Sequence, residues 1–178
     1  NLMGDQLSFK INSDTLKEFI AFSSGNALRI GPFKKIENQN LHSISSCDML
    51  IVVHPNFLNE AHELAGLHYA DDGLESIVVN LNDIYNEFGG GKADITAIRD
   101  FVRMVYIKSS FRMKYLLLFG DGSYDYKNRI ANNTNFVPTY KASDSMIETQ
   151  SYVINEYFGL MSTQEGSEMF GILDIGIG

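Results

Sequence analysis

Tyr115-Leu116-Leu117-Leu118-Phe119 runs without a polar break into Gly120-Asp121-Gly122-Ser123-Tyr124-Asp125-Tyr126. Five consecutive apolar or aromatic residues predict a strand buried on both faces, as in a parallel sheet covered by helices. In open sheets of that kind, ligands bind outside the carboxyl ends of the strands. Glycines on both sides of Asp121 let the backbone turn sharply and present the carboxylate at that edge. One stretch thus predicts both a fold class and a candidate residue.

The pattern around it agrees. Met49-Leu-Ile-Val-Val53 is a second buried strand, and Ser76-Ile-Val-Val79 a third. Phe57, Ala61, Leu64, Ala65 and His68 fall at helical spacing and predict a helix over residues 56–70. Ile95, Ile98, Phe101, Val102 and Val105 predict another over 94–108, with Asp94 in the first turn, where a carboxylate suits the helix dipole. A long Asn-rich loop then runs to residue 135, and a last strand is expected near 172–177. Strands alternating with helices predict an α/β fold with a parallel, doubly wound sheet and right-handed crossovers.

Residues 1–46 read differently. Leu7 to Ile11 alternates with period two, Glu18 to Phe22 is a second short strand candidate, and the segment between Ser23 and Pro32 is rich in turn residues. The expectation is a short all-β segment: the tail of a preceding β-domain and its connector over 1–46, then an α/β subdomain over 47–178. The strand-like run at the carboxyl end and the absence of an initiator Met or leader read as a piece cut from something longer.

With 178 residues, 44% of them hydrophobic, the chain can bury one good core. A net charge of −8 leaves no basic stripe to neutralise phosphates, which argues against nucleic acid. Its 14 Lys and Arg are scattered, so no polybasic membrane patch forms. A single cysteine excludes a disulfide within the chain.

Several residues carry groups capable of chemistry. Asp121 and Asp125, with Asn128 beyond, place oxygen ligands in a glycine-containing loop, and hard cations such as calcium take six to eight oxygens. The spacing is not that of an EF-hand, and solvated acids on a surface turn would give the same pattern. Gly89-Gly-Gly-Lys92 precedes a helix but is followed by Ala93 rather than a hydroxyl residue, and acids crowd it; a flexible hinge fits better than a phosphate loop. Cys47 could be a nucleophile with His42, His54, His62 or His68 as base. It precedes the first α/β strand, however, beside Asp48, which disfavours a thiolate. His54, at a strand end, is the best placed histidine. His62 and His68 lack the helical zinc motif with its glutamate.

Seven phrases occur in one order: Asp48-Met-Leu-Ile-Val-Val-His-Pro55, Ile84-Tyr-Asn-Glu-Phe-Gly89, Ala97-Ile-Arg-Asp-Phe101, the 115–125 stretch, Phe136-Val-Pro-Thr-Tyr140, Glu156-Tyr-Phe-Gly159 and Leu173-Asp-Ile-Gly-Ile-Gly178. Over about residues 38–178 the chain resembles the gingipain family of cysteine peptidases. Asn38-Gln-Asn-Leu-His42 and Tyr85-Asn-Glu-Phe88 resemble its sortase-like members in the type IX secretion system of Bacteroidetes. The resemblance implies a caspase-like α/β fold of two side-by-side subdomains. It implies a catalytic His in a Gly-His-Gly turn and a Cys ending the following strand, both in the second subdomain. No Gly-His-Gly occurs here, so no catalytic residue is expected in this chain, which on its own should be inactive. The resemblance makes Asp121 a calcium ligand, with further ligands from the loop Met161 to Glu168. Relatives tend to carry aspartates in that loop, and Glu165 is the nearest candidate here.

The same resemblance implies a cell-surface or outer-membrane location, protein substrates carrying C-terminal secretion signals, and outer-membrane secretion components as partners. Self-association through the strand near 172–177 is a further expectation, because an unpaired apolar edge is a template for another chain. A non-catalytic α/β binding or docking module of a cell-surface protein is the alternative from a different class.

Overall fold

The computed structural model describes residues 2–3, 6–12, 14–23, 25, 27–28, 31–127, 129–141, 153–165 and 171–178. The chain divides into two units, Asn1–Glu37 and Asn38–Gly178.

In the first unit, β1 (Leu2–Met3) pairs antiparallel with β2 (Gln6–Leu7), Leu2 opposite Leu7 and Met3 opposite Gln6. The strands expected over 7–11 and 18–22 do not form beyond Leu7. An alternating segment becomes a strand only when a partner covers its apolar side, and a two-stranded hairpin is marginal without one. Phe9, Ile11, Phe19 and Phe22 are all exposed, and the Phe9 and Phe19 rings make a tilted contact, 5.1 Å between centroids.

The second unit is the expected doubly wound α/β sheet. Its order of elements is β3 (Met49–Val53), α1 (Leu58–Asp72), β4 (Ser76–Asn80), α2 (Leu81–Phe88), α3 (Ile95–Lys108), β5 (Tyr115–Phe119), β6 (Tyr140–Lys141), β7 (Val153–Ile154) and β8 (Gly176–Ile177). Four strands lie in the order β4-β3-β5-β8, and all their pairings are parallel. β6 and β7 form a separate antiparallel pair, Tyr140 opposite Ile154. The strand order reverses between β3 and β5, the switch point where crevices open in such sheets.

Period-two alternation in β3 decides which helix packs where. Met49, Ile51 and Val53 face Ala61 and Ala65 of α1, with Phe57, Leu58, Val78, Leu117 and Phe119 around them. Leu50 and Val52 join Val79, Leu116 and Leu118 on the opposite face, against Leu81 and Ile84 of α2 and Ile98, Phe101, Val102 and Val105 of α3. β3 is buried throughout, whereas Tyr115 at the start of β5 is 45% exposed, its partner in β8 being Gly176, which has no side chain to cover it. The strand foreseen over 172–177 thus shrinks to Gly176–Ile177, paired to β5 on its inner side and forming the sheet edge.

α1 begins after the 3-10 turn Pro55–Phe57, whose cap is His54, its Nδ1 accepting the Asn56 N–H at 3.2 Å. It ends at Gly73, in the left-handed region at φ +67. α2 lies where the sequence reading placed no element. Asn80 caps it by accepting the Asn82 N–H at 2.9 Å. Among the described residues no helix is long and apolar enough to cross a membrane.

Candidate functional site

The site is built where β3 and β5 end. The His54 N–H donates to the Phe119 carbonyl at 3.2 Å, extending the β3–β5 ladder one step beyond the strands. Gly120 then takes φ +152, and a Cβ there would lie 2.9 Å from Val137 Cγ2 and 3.0 Å from Phe136 Cβ. Gly122 has no more room, since a Cβ would meet Thr139 Cγ2 at 2.5 Å. The Asp121 carbonyl accepts N–H bonds from Phe136 at 2.8 Å and Val137 at 3.2 Å. The Gly-Asp-Gly turn is therefore pressed under residues 136–139, with both glycines required by contact.

Beside this turn opens a shallow crevice of about 450 Å³ lined by Phe57, Leu117, Leu118, Phe119, Gly120, Asp121 and Phe136. The His54 ring meets Phe136 edge-on at 4.9 Å, and Phe57 meets Phe136 at 5.0 Å. Burial among these groups lowers the His54 pKa, which favours the neutral ring. At the rim the Asp121 side chain is exposed, and among the described residues its carboxylate has no hydrogen-bond partner.

Asp125, four residues on, is buried and committed to the loop. Its carboxylate accepts the backbone N–H groups of Arg129 and Ile130, the latter at 2.6 Å, while Asn133 Nδ2 donates to its carbonyl at 2.6 Å. Asn128 lies outside the described residues.

Glu165 stands in a different setting. Its Oε2 accepts the Ser162 N–H at 3.0 Å, closing a turn, and a Cβ on Gly171 would lie 2.5 Å from its Oε1. The segment before it is held by arginines of α3 that sequence reasoning passed over. Arg99 Nε donates to the Leu160 carbonyl at 3.0 Å and Nη2 to the Ser162 carbonyl at 2.6 Å. Arg103 Nε donates to the Met161 carbonyl at 2.7 Å, and the Met161 N–H donates to Asp174 at 3.0 Å. The Arg99 guanidinium also lies 5.5 Å from the centre of the Tyr157 ring. Their one visible mark is two arginines four apart on a helix that is mostly apolar.

Among the described residues no group of three or more His, Cys, Asp or Glu can hold a metal ion. Asp121 and Glu165 by themselves do not make a calcium site, since that ion takes six to eight oxygens. Of the loop expected to add ligands, residues 166–168 lie outside the described residues.

Cys47 is fully buried at the start of β3, at the end of the sheet opposite Asp121. Burial, with the Asp48 charge added and Arg112 opposing, pushes the thiol pKa up to about 12. No histidine hydrogen-bonds it among the described residues: His42 is paired with Glu87, His54 caps the turn before α1, His68 contacts Asp72 at 3.0 Å, and His62 is exposed. A thiolate with a base in reach is what nucleophilic catalysis needs, and this thiol has neither. Gly89–Lys92 turns between α2 and α3, with Gly90 and Gly91 at positive φ and the Gly89 and Gly91 N–H groups donating to the Tyr85 carbonyl.

Comparison with known proteins places this geometry. No curated protein matches the chain. The crystal structure of dimeric latent PorU from Porphyromonas gingivalis is similar, with a TM-score of 0.67 and 32% sequence identity over 80% of this chain and 15% of that one. This chain thus corresponds to a small part of that protein's length. The family model of Peptidase family C25 matches residues 42–178, all but the first few residues of the α/β unit. The chain belongs to peptidase family C25, the gingipain family.

Proposed function

We propose that these residues form the first, non-catalytic α/β subdomain of a cysteine endopeptidase that acts as a sortase in type IX secretion, removing C-terminal signals from secreted cargo at the outer membrane or cell surface. The catalytic His and Cys belong to residues outside this chain. The observation that carries the reading is the pairing of family membership with an inert thiol: a peptidase C25 chain whose single cysteine is buried, protonated and without a histidine partner. The 32% identity to latent PorU supports the sortase branch of the family. In this reading the α/β unit supports its catalytic neighbour, and Asp121 and Glu165 would contribute two of the oxygens of a structural calcium ion only together with ligands from other residues. The partners are protein substrates with C-terminal signals and outer-membrane secretion components. Deleting the gene in its own host tests the role. Secreted cargo should then accumulate with its C-terminal signals uncleaved, and normal processing in the deletion strain would refute it.

A further inference from the structure

The segment that opens the second unit, Gln39 to Ser43, is held to α2 by one carboxylate. Glu87, next to last in α2, accepts the Leu41 N–H at 2.8 Å on one oxygen and the His42 N–H at 2.9 Å on the other. Gln39 Nε2 adds a third donor at 3.3 Å, and His42 Nδ1 a fourth. The surroundings reinforce this arrangement. The His42 ring stacks on Phe88, 4.6 Å between centroids and 6° between planes, and Lys108 of α3 donates to the His42 carbonyl. Leu41 and Ile44 pack against the main core.

Exposure sets the roles of the two sides. The Glu87 side chain is 15% exposed and the His42 side chain 58%, so the acceptor is sheltered while its partner lies at the surface. Two of the four donors are main-chain groups that no side-chain substitution can remove. That one carboxylate therefore gathers both of these main-chain donors, Gln39 being bonded also to the Asp83 carbonyl and to Asn86 of α2, whereas the sheet is held by the cores on its two faces. We propose that Glu87 is the catch of a latch: it closes residues 39–43 onto α2 as one unit, and their release on loss of the carboxylate leaves the sheet folded.

Acid should release the same latch. Burial raises the Glu87 pKa, but hydrogen bonds from Leu41, His42 and Gln39 more than offset it and bring it to about 2. The charged and titratable groups facing it are Asp83 of α2, His42 and Lys108; Asp83 is itself pushed up by burial and by Glu87. A carboxyl depressed on folding contributes stability above its ordinary value of 4.5, and that contribution is lost as pH falls toward about 2.

Amide hydrogen exchange tests the proposal on the chain as it stands and on Glu87→Gln and His42→Ala. In Glu87→Gln the Leu41 and His42 amides should exchange about 100-fold faster, with Val52 and Phe101 unchanged. In His42→Ala the Leu41 amide should stay within about threefold of the original. Protection of Leu41 unchanged in Glu87→Gln would overturn the proposal. So would loss of Val52 protection together with Leu41, because the segment would then not open on its own. Limited pepsin digestion of the unmodified chain is the second measurement, for use if Glu87→Gln fails to fold. Cleavage within residues 39–44 should appear as pH falls from 4.5, before far-ultraviolet circular dichroism changes, and the reverse order would equally refute the latch.

Discussion

Replacing Arg99 by Ala should be among the most damaging changes available on α3, although its partners are backbone atoms far along the chain. The side chain is 8% exposed and gives two hydrogen bonds to carbonyls, at 3.0 Å and 2.6 Å. Hydrogen bonds involving a charged group contribute about 1.5–3 kcal/mol each, and a cation over an aromatic ring adds about 0.5–2 kcal/mol. Non-additivity trims the total, so the expected loss is about 3–5 kcal/mol. For a chain of this size that lowers the melting temperature by about 10 °C. Arg99→Lys keeps the charge but not the planar fork that reaches both carbonyls, and should lose about half as much. Arg103→Ala, with one bond to the Met161 carbonyl, should lose about 1–2 kcal/mol. Urea and thermal denaturation of the three variants measure these losses. A loss below about 1 kcal/mol for Arg99→Ala would refute the view that these arginines seat residues 160–162.

Gly122→Ala should destabilise by about 1–3 kcal/mol through its contact with Thr139, and Thr139→Ser, which removes the offending methyl, should restore part of that loss in the double variant; equal effects in both backgrounds would contradict the contact. If calcium binds at Asp121, millimolar calcium should raise the melting temperature and Asp121→Asn should abolish the rise; no shift in the unmodified chain removes calcium from the account. The edge left by the two-residue β8 should promote self-association at high protein concentration, which analytical ultracentrifugation would register as dimer; a clean monomer would argue against it.

What was legible in the sequence follows from how local the determinants are. β3 and β5 could be read residue for residue, because a strand covered on both faces is an unbroken apolar run. α3 announced itself by spacing and by its Asp94 cap, which accepts the Thr96 N–H at 2.8 Å. α2 carries the same signal, Leu81, Ile84, Tyr85 and Phe88 at helical spacing, but over only eight residues, and no element was assigned there. The first-unit strands failed in the opposite sense: the alternation over 7–11 is present, but Phe9 and Ile11 stay exposed. Near the carboxyl end, Ile172 is 88% exposed despite its apolar neighbours, and only Gly176–Ile177 pairs. At the site, Asp121 was visible through its glycines and strand-end position. The arginine clamp was not, since its acceptors are main-chain carbonyls about sixty residues away that no side-chain pattern records.

The central claim is that this subdomain supports a cysteine peptidase without supplying its nucleophile. Labelling the full-length gene product with a thiol-directed peptidyl inhibitor, followed by peptide mapping, tests it most directly. The account predicts that activity is lost with the label on a cysteine outside these 178 residues, and that the Cys47 peptide is recovered unmodified from native protein. Inhibitor attached to Cys47, with activity abolished in Cys47→Ala, would contradict it.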